Sequence, residues 1–421
     1  MSQPLYRSRP GGFDIRPASQ ARAMPIRDGV YLSAGLSNSY LVVTPEGRVV
    51  INTGMGFEAA VHKRNYDAVD GGPLRFIVLS QGHVDHVGGV DALREPGTEI
   101  VAHAKNAWQQ ADDARLRRFR ASRSAFAFAP AIAEAQRHLH ANADAPLPAQ
   151  SRPEPTITFE DSFAFELGGR RFELYSTPGG ETSDSLVVWL PEERMCFSGN
   201  LFSALFGHFP NLATIRGDHT RDALAFIASL DRVLALGPEL LLVGHHGPVE
   251  GADSIRAELL RLREAVRYVH DETVKGMNEG ADVTSLMREI ELPPHLEVGQ
   301  GYGKVSWGVR AIWEFYAGWF HHRSTTELYS VPAWQAYPEL LALSGGPDRV
   351  AAAARARLAA GEPLLALHLC EVVFGSHPKH RRALAVSVDA HRQLEERSVN
   401  FWETSWLRRQ GERLRAALGE G

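Results

Sequence analysis

Cysteine is scarce in this chain. Cys196 and Cys370 are the only two in 421 residues, and they lie far apart. No disulfide framework is expected, and a reducing, cytoplasmic setting fits. Long apolar runs are missing too. None reaches the ~18 residues a membrane-spanning helix needs, so no membrane partner is expected. The opening MSQPLYRSRPGGFDIRP lacks the apolar core of a signal peptide. Nor does charge of one sign dominate. Forty-five basic against 50 acidic residues leave a net −5, which removes the bulk electrostatic argument for a nucleic-acid partner.

What is present is 44% apolar residues, enough for sizeable cores, in a chain too long for one ordinary domain. The first half reads as short strands between glycine turns. GVYLSAGLSNSYLVVTPEGRVVINTG (29–54) holds three such runs, with Pro-Glu-Gly at 45–47 as a hairpin turn. LRFIVLS (74–80) reads as a buried strand, and EIVAHAKNA (99–107) as a strand running into a helix. Residues 105–150 read as an insertion near the site, a lid with helical segments. From about residue 253 the apolar spacing turns helical. Further on, 348–394 reads as antiparallel helices broken at Gly361-Glu362-Pro363 and His377-Pro378. The expected organisation is therefore a mixed α/β domain, 1–252, followed by an all-helical domain, 253–421.

Four strand ends in the first half carry ligand-type side chains. SQGHVDHVGG (80–89) packs His83, Asp85 and His86 together with Gln81. TPGGETSDS holds Glu181 and Asp184, CFSGNLF holds Asn200, and VGHHGP holds His245 and His246. Metal ligands must converge from separate segments, and imidazole with carboxylate suits a zinc-like or iron-like ion. Such an ion lowers the pKa of its water to about 7. His246 reads as a neighbour of the site rather than a ligand.

The succession INTG, QGHVDHVGG, TPGGET, FSGN, GHHGP resembles the metallo-β-lactamase superfamily, and within it the alkyl sulfatase branch. NLATIRGDHTRDAL (211–224), YGKVSWGVRAIWEFYAGWF (302–320) and SVNFWETSWLRRQGERLR (398–415) resemble further segments of that branch. The resemblance implies an αββα sandwich with one or two metals at its edge, then an all-α dimerisation-type domain. No counterpart of the branch's sterol-carrier-like C-terminal domain is expected. His83 and Glu181 would serve a first metal; Asp85, His86 and His245 would serve a second. Arg216 takes the place of an arginine that holds sulfate, with Asn211 nearby. A guanidinium suits a tetrahedral oxyanion because it binds bidentately and stays charged.

Three neutral amides break the pattern. Gln81 stands for a histidine, Asn200 for a bridging carboxylate, and Asn52 for a supporting aspartate. Gln81 and Asn200 are weak ligands at best, so one firm zinc site and a weak or absent second one are expected. Three protein ligands with an open position is the count of a catalytic zinc site. The expected activity is metal-dependent hydrolysis of a small anionic ester with an apolar tail, of the alkyl sulfate kind. Asp85, Arg216 and Asn211 are the catalytic candidates. Two other readings start from the same residues. Asp85, His86 and His245 are also the ligand set of a non-haem iron redox enzyme, and a retired scaffold would bind without catalysis. The aromatic run 307–320 is expected to form a homodimer contact.

Overall fold

Alternating β-branched and aromatic residues build the first sheet. Its strands are β1 (Met24–Pro25), β2 (Val30–Ser33), β3 (Ser39–Thr44), β4 (Gly47–Ile51), β5 (Leu74–Leu79), β6 (Glu99–His103) and β7 (Ile157–Phe159), in that spatial order. β1 to β4 pair antiparallel. Pro45 and Glu46 close the β3–β4 hairpin, with Thr44 opposite Gly47. β4 to β7 pair parallel. The second sheet holds β8 (Ser162–Leu167), β9 (Arg170–Ser176), β10 (Leu186–Leu190), β11 (Met195–Gly199), β12 (Leu240–Val243) and β13 (Val249–Glu250), in consecutive order. The computed structural model describes residues 3–141 and 146–419.

Strand periodicity sorts the apolar side chains into layers. From the first sheet, Tyr40, Val42, Val49, Ile51 and Val78 meet Leu174, Leu186, Val188, Met195 and Phe197 of the second in one buried core. The alternate residues face helices. Leu41, Val50, Ile77 and Leu79 pack with Tyr66, Val87 and Val90. Val187, Trp189, Cys196 and Leu241 pack with Phe226, Ile227 and Leu230 of helix Ala223–Leu236. The result is the expected αββα sandwich. Cys196 and Cys370 are buried free thiols. Among the described residues no helix is long and apolar enough to cross a membrane.

The chain packs as two compact units, residues 1–316 and 317–421. Helix Ala252–Asn278 lies in the first of them through its apolar stripe. Its Ile255, Leu259, Leu262, Val266 and Val269 belong to the same core as the second sheet, and so do Val305, Val309 and Ile312 of helix Val305–Ala317. Residues 106–141 form one long helix, Asn106–Ala141, in place of several segments.

In the second unit, helices Pro347–Ala359, Pro363–Phe374, Arg381–Arg397 and Phe401–Leu418 follow one another, with breaks where Gly361-Glu362-Pro363 and His377-Pro378 put them. Ala351, Ala354, Ala366, Cys370, Val373 and Ala390 make its core. Asn400 caps the last helix by accepting from the Trp402 and Glu403 amides. Phe197→Ala should destabilise the first unit by about 3–5 kcal/mol. Asn400→Ala should cost the second unit only about 1 kcal/mol. Urea unfolding followed by hydrogen exchange in each unit would measure both.

Candidate metal centre

The site forms where four strand ends meet. β5 runs out into Ser80-Gln81-Gly82-His83, and a short helix, Val84–Val87, starts directly after His83. That turn sets Asp85 and His86 side by side, with His86 Nε2 3.6 Å from Asp85 Oδ2. Asn52, at the end of β4, holds the strand end in place. Its Oδ1 accepts from the Ser80 amide at 2.9 Å, and its Nδ2 donates to Ser80 Oγ at 3.0 Å. An aspartate could only accept, so the amide at this position is a two-way tie rather than a loss. Thr53 adds a second tie, its amide and hydroxyl both donating to the His86 carbonyl.

β12 ends in Gly244-His245-His246. His245 Nδ1 donates to the Leu36 carbonyl at 2.7 Å. That bond fixes the tautomer and leaves Nε2 with its lone pair, 4.0 Å from Asp85 Oδ2. His246 has φ +64° and does not join the cluster; its carbonyl accepts from Asn38 Nδ2 at 2.7 Å. Gly244 is required where it stands, because a Cβ there would run into Asn200 Oδ1.

Asp85, His86 and His245 bring their ligand atoms within 4.8 Å of one another. Neither ring nitrogen of His86 has a hydrogen-bond partner, although both are buried. Burial pushes the His86 pKa down to about 4 and lowers that of His245. Both are therefore neutral imidazoles at neutral pH, the form that coordinates. Orphaned imidazole nitrogens beside a carboxylate are what a divalent ion would satisfy. The three residues fit a metal.

The other expected ligands lie on the far side of His83 and are differently engaged. Gln81 Nε2 lies 3.0 Å from His83 Nδ1. Glu181 Oε2 accepts from Arg221 Nη2 at 2.7 Å, and the Glu181 carbonyl accepts from Arg221 Nε at 2.6 Å. Asn200 Oδ1 is buried without a partner. Asp184 sits deeper, accepting from Asn106 Nδ2 at 2.8 Å. Arg216, three-quarters buried, points Nη2 at Asp218 Oδ2, 3.4 Å away. The Asn211 amide donates to Ser203 Oγ, and its carbonyl accepts from Arg221 Nη1.

Four residues at or behind the site escaped the sequence reading. Asp218 lies 3.4 Å from His83 Nε2. Burial works to raise its pKa, but His83, Arg221 and Arg216 outweigh that and hold it well below the usual carboxylate range. Arg221 is the second. Both lie inside RGDHTRD, whose charge density was the available signal. Tyr302 is the third. Burial and the Glu181 carboxylate push its phenol pKa up, so it keeps its proton. The fourth, Glu58, had no signal. It accepts from the Ala18, Leu36 and Met55 amides and so anchors the loop whose carbonyl orients His245.

The chain matches the description of the metallo-beta-lactamase superfamily over residues 32–245 and that of alkyl sulfatase dimerisation over 283–416. It is 27% identical to a linear primary-alkylsulfatase of Pseudomonas sp. over 87% of this chain and 72% of that one. It is 24% identical to an alkyl/aryl-sulfatase of Saccharomyces cerevisiae over 60% of this chain and 40% of that one. A double mutant of the sec-alkyl sulfatase PisA1 has the same fold, with TM-score 0.82 and 22% identity, over 95% of this chain and 67% of that one. The strand order, the ligand loops and the domain match agree: this chain belongs to the metallo-β-lactamase superfamily, and its fold continues into a helical unit of the alkyl sulfatase kind.

Burial raises the pKa of Glu58 to about 7, despite the three amides that favour its anion. A raised acid binds its proton more tightly when folded. Its contribution to stability is complete below the ordinary pKa of about 4.3 and is lost as pH rises through about 7. Glu58→Gln should flatten stability against pH across that window, a difference on the order of 3 kcal/mol. It should also weaken metal binding about tenfold through the Leu36–His245 bond. Denaturation at stepped pH and zinc titration would check each.

Proposed function

We propose that this chain is a metal-dependent hydrolase of small anionic esters with an apolar tail, sulfate esters of alkyl chains above all. The observation that carries the reading is the convergence of Asp85, His86 and His245, with both ring nitrogens of His86 unpaired. A divalent ion held there, zinc in our reading, would supply a water acidic enough to act as hydroxide at neutral pH. The relatives support the substrate class, since those compared are alkyl or aryl sulfatases by name.

The chain's own residues divide the remaining work. Arg216 binds the anionic group, its planar guanidinium matching two sulfate oxygens. Asn211, five residues before it in the chain, holds Arg221 through its carbonyl. Asp85 orients the attacking water as well as the ion. Tyr302, kept protonated, can donate to an ester oxygen. Helix Asn106–Ala141 leans on the Arg216 loop, with Arg123 donating to the Arg216 and Ile215 carbonyls at 2.9 and 2.7 Å. Phe119 and Trp108, each about half exposed on that helix, offer an apolar wall for the tail. An iron-loaded redox role uses the same three ligands; no further observation favours it over hydrolysis.

The second unit exposes Trp319, Tyr329 and Trp334, residue types enriched at protein interfaces. With the dimerisation match, that supports a homodimer. Two free buried thiols suit a reducing cytoplasm.

Zinc-loaded protein should release sulfate from dodecyl sulfate, lose that activity to a chelator and regain it with zinc. Failure on alkyl sulfates and on a wide ester panel would overturn the reading. Arg216→Ala should lower kcat/KM by about 10²-fold, and Arg216→Lys should recover only part of it because a point charge does not bind bidentately. Light scattering should give twice the chain mass.

A further inference from the structure

Positive charge on the far side of His83 comes from the protein itself. Arg221 is buried, with only 4% of its side chain exposed, and so is its partner Glu181, with 5%. All three arms of the guanidinium are used. Nε meets the Glu181 carbonyl, Nη2 meets Glu181 Oε2, and Nη1 meets the Asn211 carbonyl. Asp218 joins the same network, 3.6 Å from Arg221 Nη2 and 3.2 Å from Arg120 Nη2. Each buried carboxylate therefore already has a buried cation.

His83 Nε2 is buried without a hydrogen-bond partner, but the surroundings of the ring oppose a second ion. Nδ1 is occupied by the Gln81 amide, whichever way that amide is turned. The two carboxylates also approach different ring nitrogens. Glu181 lies 3.9 Å from Nδ1, whereas Asp218 lies 3.4 Å from Nε2. An ion bound to one of those nitrogens has at most one of the two carboxylates beside it. Among the described residues, Asp85, His86 and His245 are the one group of three whose ligand atoms converge.

We infer that Arg221 is the resident cation of this half of the site. The chain binds a single divalent ion, at Asp85, His86 and His245, and the Arg221 guanidinium holds Glu181 and Asp218 in place of a second. This rests on the metal-hydrolase reading above. It explains how the chain tolerates Gln81 and Asn200 where stronger ligands are expected: with Arg221 present, neither is needed to hold an ion.

The test is zinc stoichiometry, by elemental analysis and calorimetric titration of chelator-stripped full-length protein. Wild type should take up about one zinc per chain. Glu181→Gln and Asp218→Asn should leave that number and the affinity unchanged, while His245→Ala should abolish uptake. Arg221→Met, which removes the cation and leaves the carboxylates, should gain a second, weaker zinc. If that variant does not fold, as circular dichroism would report, the Glu181→Gln result still decides. About two zinc ions in wild type, falling to one in Glu181→Gln, would overturn the inference and leave the hydrolase reading standing. No zinc in wild type would remove the hydrolase reading and this inference together.

Discussion

The apolar contact between the two sheets is the constraint on which the rest depends. Tyr40, Val42, Val49 and Ile51 on one side and Val188, Met195, Phe197 and Leu242 on the other are removed from water together. At about 25 cal/mol per Å² of apolar surface, no polar interaction at the site's edge competes with that layer. Because side chains alternate along a strand, its register cannot slip by one residue without turning the apolar set outward. The strand ends are therefore placed to within a residue. Short polar ties complete the rim: the Leu186 amide donates to the Ser80 carbonyl, and the Asn38 amide to the Gly244 carbonyl. These ties join one sheet to the other at the metal-binding end.

Burial then divides the site into two kinds of chemistry. On the side of His86 and His245 it strips protons from imidazoles and leaves both His86 nitrogens without partners. That arrangement is costly unless something coordinates them. On the side of Glu181 and Asp218, the buried carboxylates are met by arginines already in the chain, while His83 Nε2 is left without a partner. Apart from that nitrogen, both solutions obey one rule, that a buried charge or lone pair must be matched. They differ in whether the match comes from the chain or from an ion.

Of the three neutral amides that break the superfamily pattern, Asn52 follows the same rule. Asn52 uses both ends of its amide to tie β4 to β5. Gln81 occupies the His83 ring. Asn200 keeps its Oδ1 unpaired against Gly244. Three substitutions that look alike in sequence thus do three different things.

Much of this was legible without coordinates. The period of two in SYLVV and RVVI, the turn at Pro45-Glu46 and the clustered ligand types at 83–86 depend on local geometry, which neighbouring residues determine. The sandwich and the convergence of His245 on Asp85 followed from resemblance together with those local signals. What helix Ala252–Asn278 covers was not legible, because an amphipathic helix shows that it has an apolar face but not what that face packs on; its stripe joins the core of the second sheet. Nor did Glu58, Arg221 and Asp218 declare themselves, since an acid or arginine reads as a surface charge until its partners are known. Sequence alone determined the elements, their apolar faces and the ligand types available. Tertiary structure decided which of those ligands are left for a metal, because that depends on partners brought together from 40 to 135 residues away.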